Sequence, residues 1–327
     1  MMKLPHRRQF LHLASGAVAL PALSRIASAQ TYPTRPVRII CGIAAGGAPD
    51  IVARLVAQWL SERLGQQFVV ENRTGGATNI ATEAVVRAPP DGHMLLQVVS
   101  ANAINATLYD KLNFNFIRDI APVASITLTP HIMEVNPSFP AKTVPAFIAY
   151  AKANPGKISL ASTGIGSPGH LGSELFRMMV GIDMTHVPYR GAAQALTDLI
   201  SGQVQVAIVT SAASIEHIRS GKLHPLAMTT SMRLEFLPDI PTVGEFVPGY
   251  EVSGWLGIGA PKNTPTEIIE RLNREINAGL ADPKFKARLA DLGLTVLGGS
   301  PADFGKLIAD ETEKWAKVIK FANIKPD

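Results

Sequence analysis

Residues 37–56 read VRIICGIAAGGAPDIVARLV, and this stretch decides the fold. The apolar run at 37–40 predicts a strand, and the small residues at 42–49 predict a loop. From residue 51 onward, apolar side chains recur at the spacing of an amphipathic helix. A strand that leads through a short loop into a helix is the first half of a βαβ unit. The stretch therefore indicates an α/β protein with parallel strands.

The same alternation continues along the chain in two series. The first series adds predicted strands at residues 68–70, 94–99 and 120–126. The second series has predicted strands at residues 132–135, 159–161, 184–187, 204–209 and 226–229. Three helices, each with a proline near its first turn, are predicted at the end of the chain, at residues 265–280, 283–292 and 301–321.

Two series of βαβ units predict two lobes that close on each other like a clam-shell. Two crossing segments, residues 125–130 and 246–253, would join them. The predicted first lobe consists of residues 30–126 and 251–327, because the last helices would return to it. The predicted second lobe consists of residues 127–250. Each lobe should hold a mixed sheet flanked by helices.

The first 29 residues have the features of a secretory signal peptide. Lys3, Arg7 and Arg8 precede an apolar run at 10–23, and Ala27-Ser28-Ala29 supplies a small-residue cleavage pattern. The arginine pair indicates a twin-arginine signal, with an ordinary secretory signal as the alternative. We therefore expect removal of this segment near Ala29 and a periplasmic mature protein.

Charge and composition narrow the function classes. Four of the 31 basic residues lie in the first 29 positions, so the mature chain has 27 basic against 26 acidic residues. Such a balance gives no electrostatic reason to expect nucleic acid or an anionic membrane surface as a partner. The single cysteine, Cys41, cannot form an internal disulfide, and the sequence has no H-E-x-x-H pair. No metal or cofactor is expected.

The candidate binding residues lie in loops that lead from a strand into a helix. In open α/β sheets, ligands bind at the carboxyl ends of strands. Small residues let backbone N–H groups approach a ligand, and a helix start offers unpaired N–H groups with partial positive charge, suited to a carboxylate. The predicted ligand-binding residues are Ala44, Ala45, Gly46, Gly47, Asp50, Ser100, Ser162, Thr163, Gly166, Ser167, His170, Arg190 and Thr210.

Several of these residues have a simpler structural interpretation. Asp50 can be a helix N-cap, and His170 can pack or cap in the first turn of its helix. Arg190 can be a solvated surface residue instead of a partner for a second carboxylate. Ser100 and Thr210 can be ordinary residues at the ends of strands.

The loops and their flanks resemble the substrate-binding proteins of tripartite tricarboxylate transporters, also called Bug-type solute receptors. The segments that carry the resemblance are YPTRPVRII (32–40), AAGGAPD (44–50), VENR (70–73), APPDG (88–92), AKANPGK (151–157), HVPYRG (186–191), LPDIPTV (237–243) and PGYE (248–251). The resemblance covers the mature chain. It implies a two-lobed type II periplasmic-binding-protein fold and a binding function without catalysis. It also implies delivery of a small organic acid to a membrane transporter, or to a sensor protein as the alternative. We expect a monomer.

The sequence departs from the family pattern in its loops. Gly42-Ile43 stand where Pro-Phe is usual, Pro49 replaces a hydroxyl residue, Ile165 stands where Asn is often found, and Val209 lies where an acidic residue is frequent. These changes make the pocket less polar. We therefore expect a ligand with an apolar or aromatic body and one carboxylate.

A competing hypothesis is an exported NAD-dependent oxidoreductase. Residues 164–169 match G-x-G-x-x-G between a predicted strand and a predicted helix. Asp183 follows at about the required distance, but it precedes the next strand instead of ending it, which is the wrong edge for a ribose. A serine hydrolase is less favoured still, because Ser167 lacks the G-x-S-x-G frame.

Overall fold

The computed structural model describes residues 32–234 and 237–326. The predicted signal peptide lies outside the described residues. The strands are β1 (Val37–Cys41), β2 (Phe68–Asn72), β3 (Met94–Val99), β4 (Ile120–Val135), β5 (Ser159–Ser162), β6 (Thr185–Pro188), β7 (Val206–Thr210), β8 (His224–Met228), β9 (Ser253–Pro261) and β10 (Thr295–Val296).

Helices connect most of these strands. They are α1 (Ala48–Leu64), α2 (Asn79–Val86), α3 (Ser100–Leu108), α4 (Phe116–Asp119), α5 (Val144–Ala153), α6 (Pro168–Val180), α7 (Ala192–Ser201), α8 (Ser211–Arg219), α9 (Thr266–Ala281), α10 (Pro283–Asp291) and α11 (Pro301–Ala322). In the described residues, none of these helices combines the length and the apolar character that a membrane span needs.

The two lobes have the same sheet design. In the first lobe the strand order is β2-β1-β3-β9-β4, with β10 on the outer side of β4. In the second lobe the order is β6-β5-β7-β4-β8. Each sheet has four parallel strands and one long antiparallel strand, β9 or β4, that arrives from the other lobe, and the two-residue β10 adds a second antiparallel strand to the first sheet. The predicted mixed α/β fold with two crossings is therefore confirmed.

The long strand β4 shows how the two sheets face each other. It pairs with β9 as far as Pro130, opposite Ser253, and with β7 from His131 onward, opposite Thr210. Pro130 ends the part of β4 that runs parallel to β1, while Thr210 is the last residue of β7. The carboxyl edges of both sheets therefore meet at this crossing. The loops that follow their parallel strands open onto one shared gap.

Each lobe has its own apolar core, and helix α11 contributes to both. Phe304 and Ile308 of α11 pack with β3 and β9 in the first lobe. Trp315, Val318 and Ile319, further along the helix, pack into the core of the second lobe. The exact lobe limits given above remain a prediction.

Several elements differ from the sequence-based expectation. Strand β4 is continuous where two strands were predicted, because Pro122 lies at a bulge and Pro130 lies where the strand changes sheets. Helices α3 and α8 begin immediately after β3 and β7, without a loop. Strand β9 was not predicted, because its glycines hide the strand pattern. A Cβ on Gly257 would lie 2.2 Å from the Phe304 ring, so this glycine lets α11 lie close to the sheet.

Candidate functional site

The first loop, residues 42–47, leads from β1 to α1 and is shaped by Asp50. Gly46 has a left-handed backbone, with φ of +86°, and its N–H donates to Asp50 Oδ2 at 2.9 Å. Arg54 Nε donates to the same oxygen at 3.0 Å, and Asn72 Nδ2 donates to Oδ1 at 2.8 Å. Asp50 is only 2% exposed. Its carboxylate therefore lies under the loop and holds it in place.

The electrostatics of Asp50 agree with this bracing role. Burial alone would raise the pKa of the carboxyl, but hydrogen bonds from Arg54, Gly46 and Asn72 outweigh that effect and hold it below its ordinary value. Asp50 is thus ionised at neutral pH. The N-cap of α1 is Gly47, so Asp50 is not the N-cap. Both of its carboxylate oxygens already accept hydrogen bonds, so neither is available to a ligand in the gap.

A neighbouring segment, residues 73–79, lies beside the first loop at the end of β2. Residues 75–78 all have left-handed backbones, and two of them, Ala77 and Thr78, are not glycines. Helix α3 holds this costly conformation: Asn105 Nδ2 donates to the Ala77 carbonyl at 2.6 Å, and Asn102 Nδ2 donates to Thr78 Oγ1 at 3.0 Å. Asn105 was not predicted as a site residue, because only the folded chain brings α3 to this segment.

The residues at the remaining strand ends are placed differently. Ser100, the first residue of α3, is buried with 8% exposure. Thr210 is half-buried at the end of β7 and is the N-cap of α8. Thr210 is therefore partly accessible at the start of α8, whereas Ser100 is largely covered.

The second loop, residues 163–167, leads from β5 to α6. Gly164 and Gly166 have left-handed backbones, with φ of +125° and +73°. Ser167 caps α6 by accepting the His170 N–H at 3.2 Å, while Thr163 is half-buried. Ser162 is fully buried, and its hydroxyl lies 2.7 Å from His186 Nε2, so it faces away from the gap.

His170 supports the second loop from beneath. The ring is buried, and its Nδ1 accepts the Gly166 N–H at 3.1 Å. It stacks on the ring of His186 with 3.8 Å between centroids and an interplanar angle of 11°. Burial, together with the nearby His186 and Arg177, lowers the pKa of His170 to about 3, and burial and Arg177 lower that of His186 to about 4. Both rings are neutral at physiological pH.

The third loop, residues 189–191, follows β6 and lies against the second. Tyr189 N–H donates to the Ser162 carbonyl at 3.0 Å, and its hydroxyl donates to Asp198 at 2.6 Å. Arg190 beside it is exposed. The loop is therefore anchored by Tyr189, which leaves the Arg190 side chain at the surface.

The two lobes touch at two places around the gap. A Cβ on Gly166 of the second loop would lie 3.1 Å from Leu108, at the end of α3 in the first lobe. A Cβ on Gly293, after α10, would lie 2.7 Å from Ala212 in α8. The second loop and the start of α8 thus lie within reach of the first lobe.

The helices that begin at this gap have a shared property. Among the described residues, no side chain caps the first turn of α1, α2, α7 or α8, and only Ser167 caps α6. At the opposite edges of the sheets, Asn115 and Thr143 cap α4 and α5, whereas α9 begins at Pro265 without a side-chain cap. Several helices thus begin at the gap, and the N–H groups of their first turns donate to no side chain.

Comparison with known proteins identifies the family. The protein-family model described as "Tripartite tricarboxylate transporter family receptor" matches residues 52–324 of the sequence. The chain belongs to this receptor family. Protein BugT of Bordetella pertussis, strain Tohama I, is 35% identical over 313 residues, which are 95% of this chain and 94% of BugT.

Two solved structures of Rhodopseudomonas palustris proteins are similar to this receptor. Rpa4515, determined with adipate, is 38% identical, with a TM-score of 0.75 and coverage of 90% of this chain and 100% of that one. MatC (Rpa3494), with bound malate, is 30% identical, with a TM-score of 0.71 and coverage of 88% and 100%. These matches confirm the predicted family resemblance and the two-lobed fold.

The receptor structure also explains the glycines that matched a dinucleotide motif. Gly164 and Gly166 supply left-handed backbones, and a Cβ on Gly169 would lie 2.2 Å from the Ile208 carbonyl oxygen. Asp183 precedes β6 and pairs with Arg177 at 3.2 Å. These residues thus have structural roles in the receptor fold, and none of the observations favours a dinucleotide.

Proposed function

We propose that this receptor works outside the cytoplasmic membrane, where it binds one small organic carboxylate between its lobes and presents it to a membrane transporter. Binding, not catalysis, is the activity. The observation that carries the proposal is the set of helix starts at the gap that no side chain caps. Unpaired N–H groups at a helix start, with their partial positive charge, suit a carboxylate.

The ligands of the two similar structures support the carboxylate class. Adipate and malate, named with Rpa4515 and MatC, are both small dicarboxylates. In our proposal the backbones of residues 44–47, Thr163 and Gly166, the Ser167 hydroxyl and the start of α8 at Thr210 contact the ligand. Asp50, Ser100, Ser162 and His170 act as supports. Arg190, on the exposed third loop, is available to a second carboxylate.

Apolar side chains near the gap support a weakly polar ligand body. Ile165, in the second loop, is 39% exposed, and Ile80, at the start of α2, is 53% exposed. Contact between an exposed isoleucine and an apolar part of the ligand would stabilise the complex by about 25 cal/mol for each Å² of apolar surface removed from water. We therefore propose a ligand with an apolar chain or ring attached to its carboxylate.

A thermal-shift screen at pH 7.5 tests the ligand class. Adipate, benzoate, malate and citrate would be added to mature protein that has been unfolded and refolded to remove any co-purified ligand. A ligand at 100 times its Kd stabilises the folded state by about 2.7 kcal/mol, which raises the Tm measurably. We expect adipate or benzoate to give the largest shift. Stabilisation by citrate without any response to adipate or benzoate would contradict the apolar ligand body, and no response to any carboxylate would contradict the function.

Export is tested separately. Amino-terminal sequencing of protein from the periplasmic fraction should begin at Gln30. Replacing Arg7 and Arg8 together by lysine should block export if the signal is of the twin-arginine type. Unchanged export of that variant would identify the ordinary secretory route instead.

A further inference from the structure

We infer that His170 and His186 form a pair of positioning residues that hold the second loop in its ligand-receiving shape, and that protonation of the pair releases the loop. This inference rests on the proposed function, because it assigns the pair a role in carboxylate binding. The rings touch no ligand themselves. They act through Gly166 and Ser162, which lie at the two ends of the loop.

Three contacts connect the pair to the loop. The Gly166 N–H donates to His170 Nδ1 at 3.1 Å, and Ser162 Oγ lies 2.7 Å from His186 Nε2. The same hydroxyl lies 3.2 Å from both the N and the O of Gly164. Since the rings stack at 3.8 Å, α6, β6 and the loop are linked into one unit. Moving either ring would displace a left-handed glycine of the loop.

The contact between Gly166 and His170 requires an uncharged His170 ring. A protonated imidazole carries hydrogen on both nitrogens, so His170 Nδ1 would no longer accept the Gly166 N–H. Two stacked rings at this distance also disfavour two positive charges. The support of Gly166 therefore requires a neutral His170, and a charged His186 stacked on it would be disfavoured as soon as His170 gained a proton.

The charged groups around the pair add to this requirement. Arg177 of α6 lies close enough to disfavour a further positive charge, although Glu174 at 2.8 Å and Asp183 at 3.2 Å pair with it. The third loop adds the exposed Arg190 and the Tyr189–Asp198 hydrogen bond. Strands β5 and β7 bring no charged residue. In the part of the chain that the structure describes, the two carboxylates near the pair, Glu174 and Asp183, are thus already paired with Arg177.

The direction of the pH effect follows from linkage. Both rings have pKa values below that of a free histidine, near 6.5. A loop that opens and exposes the rings binds protons that the closed loop excludes. Below pH 6.5, each unit by which the pH falls therefore raises the ratio of opened to closed loop by up to about tenfold for each exposed ring. Above that pH the closed loop keeps its full stability.

Amide hydrogen exchange on the unmodified, ligand-free protein tests the support directly. We expect the Gly166 N–H to be protected at pH 7.5, and its protection factor to fall more steeply between pH 6.5 and 5 than that of Ile208 in β7. A Gly166 amide that exchanges at the rate of an unstructured peptide at pH 7.5 would overturn the inference. So would protection that does not change with pH.

Ligand affinity tests the consequence, with adipate as the probe and calorimetry at pH 7.5 and 5.5. The variants are His170→Leu, which removes the acceptor, His170→Asn, whose amide oxygen replaces Nδ1, and His217→Asn as a control in α8. We expect at least a tenfold loss of affinity for His170→Leu, and less than threefold for the other two. The affinity ratio of His170→Asn to wild type should rise from pH 7.5 to 5.5, and protonation of adipate cancels in that ratio.

The outcomes separate the inference from the proposed function. Wild-type affinity in a correctly folded His170→Leu variant would overturn the inference and leave the carboxylate receptor intact. A wild-type protein that binds no carboxylate would overturn the function, while the exchange experiment would still decide whether the pair holds the loop. Far-UV circular dichroism of each variant establishes its fold. If His170→Leu does not fold, His170→Asn and the exchange data on wild type decide.

Discussion

The indole N–H of Trp315 donates to Glu311 at 2.8 Å, inside helix α11. The same carboxylate oxygen also accepts the indole N–H of Trp255, at 3.3 Å. Trp315 belongs to the core of the second lobe and Trp255 to that of the first. One buried carboxylate thus binds two tryptophans that pack in the cores of different lobes.

Glu311→Leu should therefore lower the free energy of unfolding by about 2–4 kcal/mol, because two buried donors lose their acceptor. Urea denaturation followed by circular dichroism measures the change. The control is Glu313→Leu on the same helix, where the exposed side chain pairs with Lys317 at the surface and the expected change is within about 0.5 kcal/mol. Equal effects of the two substitutions would contradict the role of Glu311.

Glu134 should give the protein an unusual response to alkaline pH. Burial in β4 raises the pKa of this carboxyl to about 8, although its hydrogen bond from Ser214, at 2.5 Å, opposes the shift. The folded state therefore retains a proton that the unfolded chain loses near pH 4.5. Stability from this group is complete below that pH and declines as the pH rises towards 8, by up to about 1.4 kcal/mol per unit.

The matching variant is Glu134→Gln, which keeps the shape and cannot ionise. It should be more stable than wild type at pH 8, and the difference should shrink at pH 5. Urea midpoints at the two pH values measure this. A variant that is less stable than wild type at pH 8 would show that the charged form is tolerated.

Gly169 should be far less tolerant of substitution than Gly191. A Cβ on Gly169 would lie 2.2 Å from the Ile208 carbonyl oxygen, a backbone atom that cannot move without displacing β7. Around Gly191, no atom of the described residues lies within 4 Å of the added Cβ, and its backbone is extended. Gly169→Ala should lower stability by at least about 1–3 kcal/mol, and Gly191→Ala by less than 1. Thermal unfolding without ligand gives both values.

Substitutions in the two glycine-bearing loops should weaken carboxylate binding to different extents. A Cβ on Gly47 would lie 3.1 Å from Ile43, so the branched side chain of Gly47→Val forces the first loop to move and blocks its backbone donors. Ser167→Ala removes one hydroxyl and the cap of α6. We expect about a tenfold loss of adipate affinity for Ser167→Ala and a far larger loss for Gly47→Val. Unchanged affinity of Gly47→Val would remove the first loop from the site.

Much of the architecture was predictable from local patterns. The alternation of apolar runs and amphipathic helices located most strands, and the prolines at the starts of α10 and α11 marked those helices within one residue. Strand β9 was not predicted, because the reason for a glycine within it is the close approach of Phe304 from α11, which is distant in the sequence. Periodicity describes neighbours along the chain, and it cannot show such a contact.

The loops of the proposed site could be located from the sequence, but the contacts within them could not. The small residues and the helix starts pointed to the carboxyl edge of each sheet, where the loops of the proposed site lie. Which side chains turn inward depends on partners far along the chain, such as Asn72 for Asp50 and His186 for His170. The supporting role of Asn105 was missed for the same reason.

The continuity of β4 bears on how this molecule unfolds. One unbroken strand is hydrogen-bonded into the sheet of each lobe. Neither lobe can therefore unfold alone without leaving unpaired backbone N–H and C=O groups at a sheet edge in the other lobe. The protein should therefore lose its structure in a single cooperative transition, and calorimetry should record one peak with matching calorimetric and van't Hoff enthalpies.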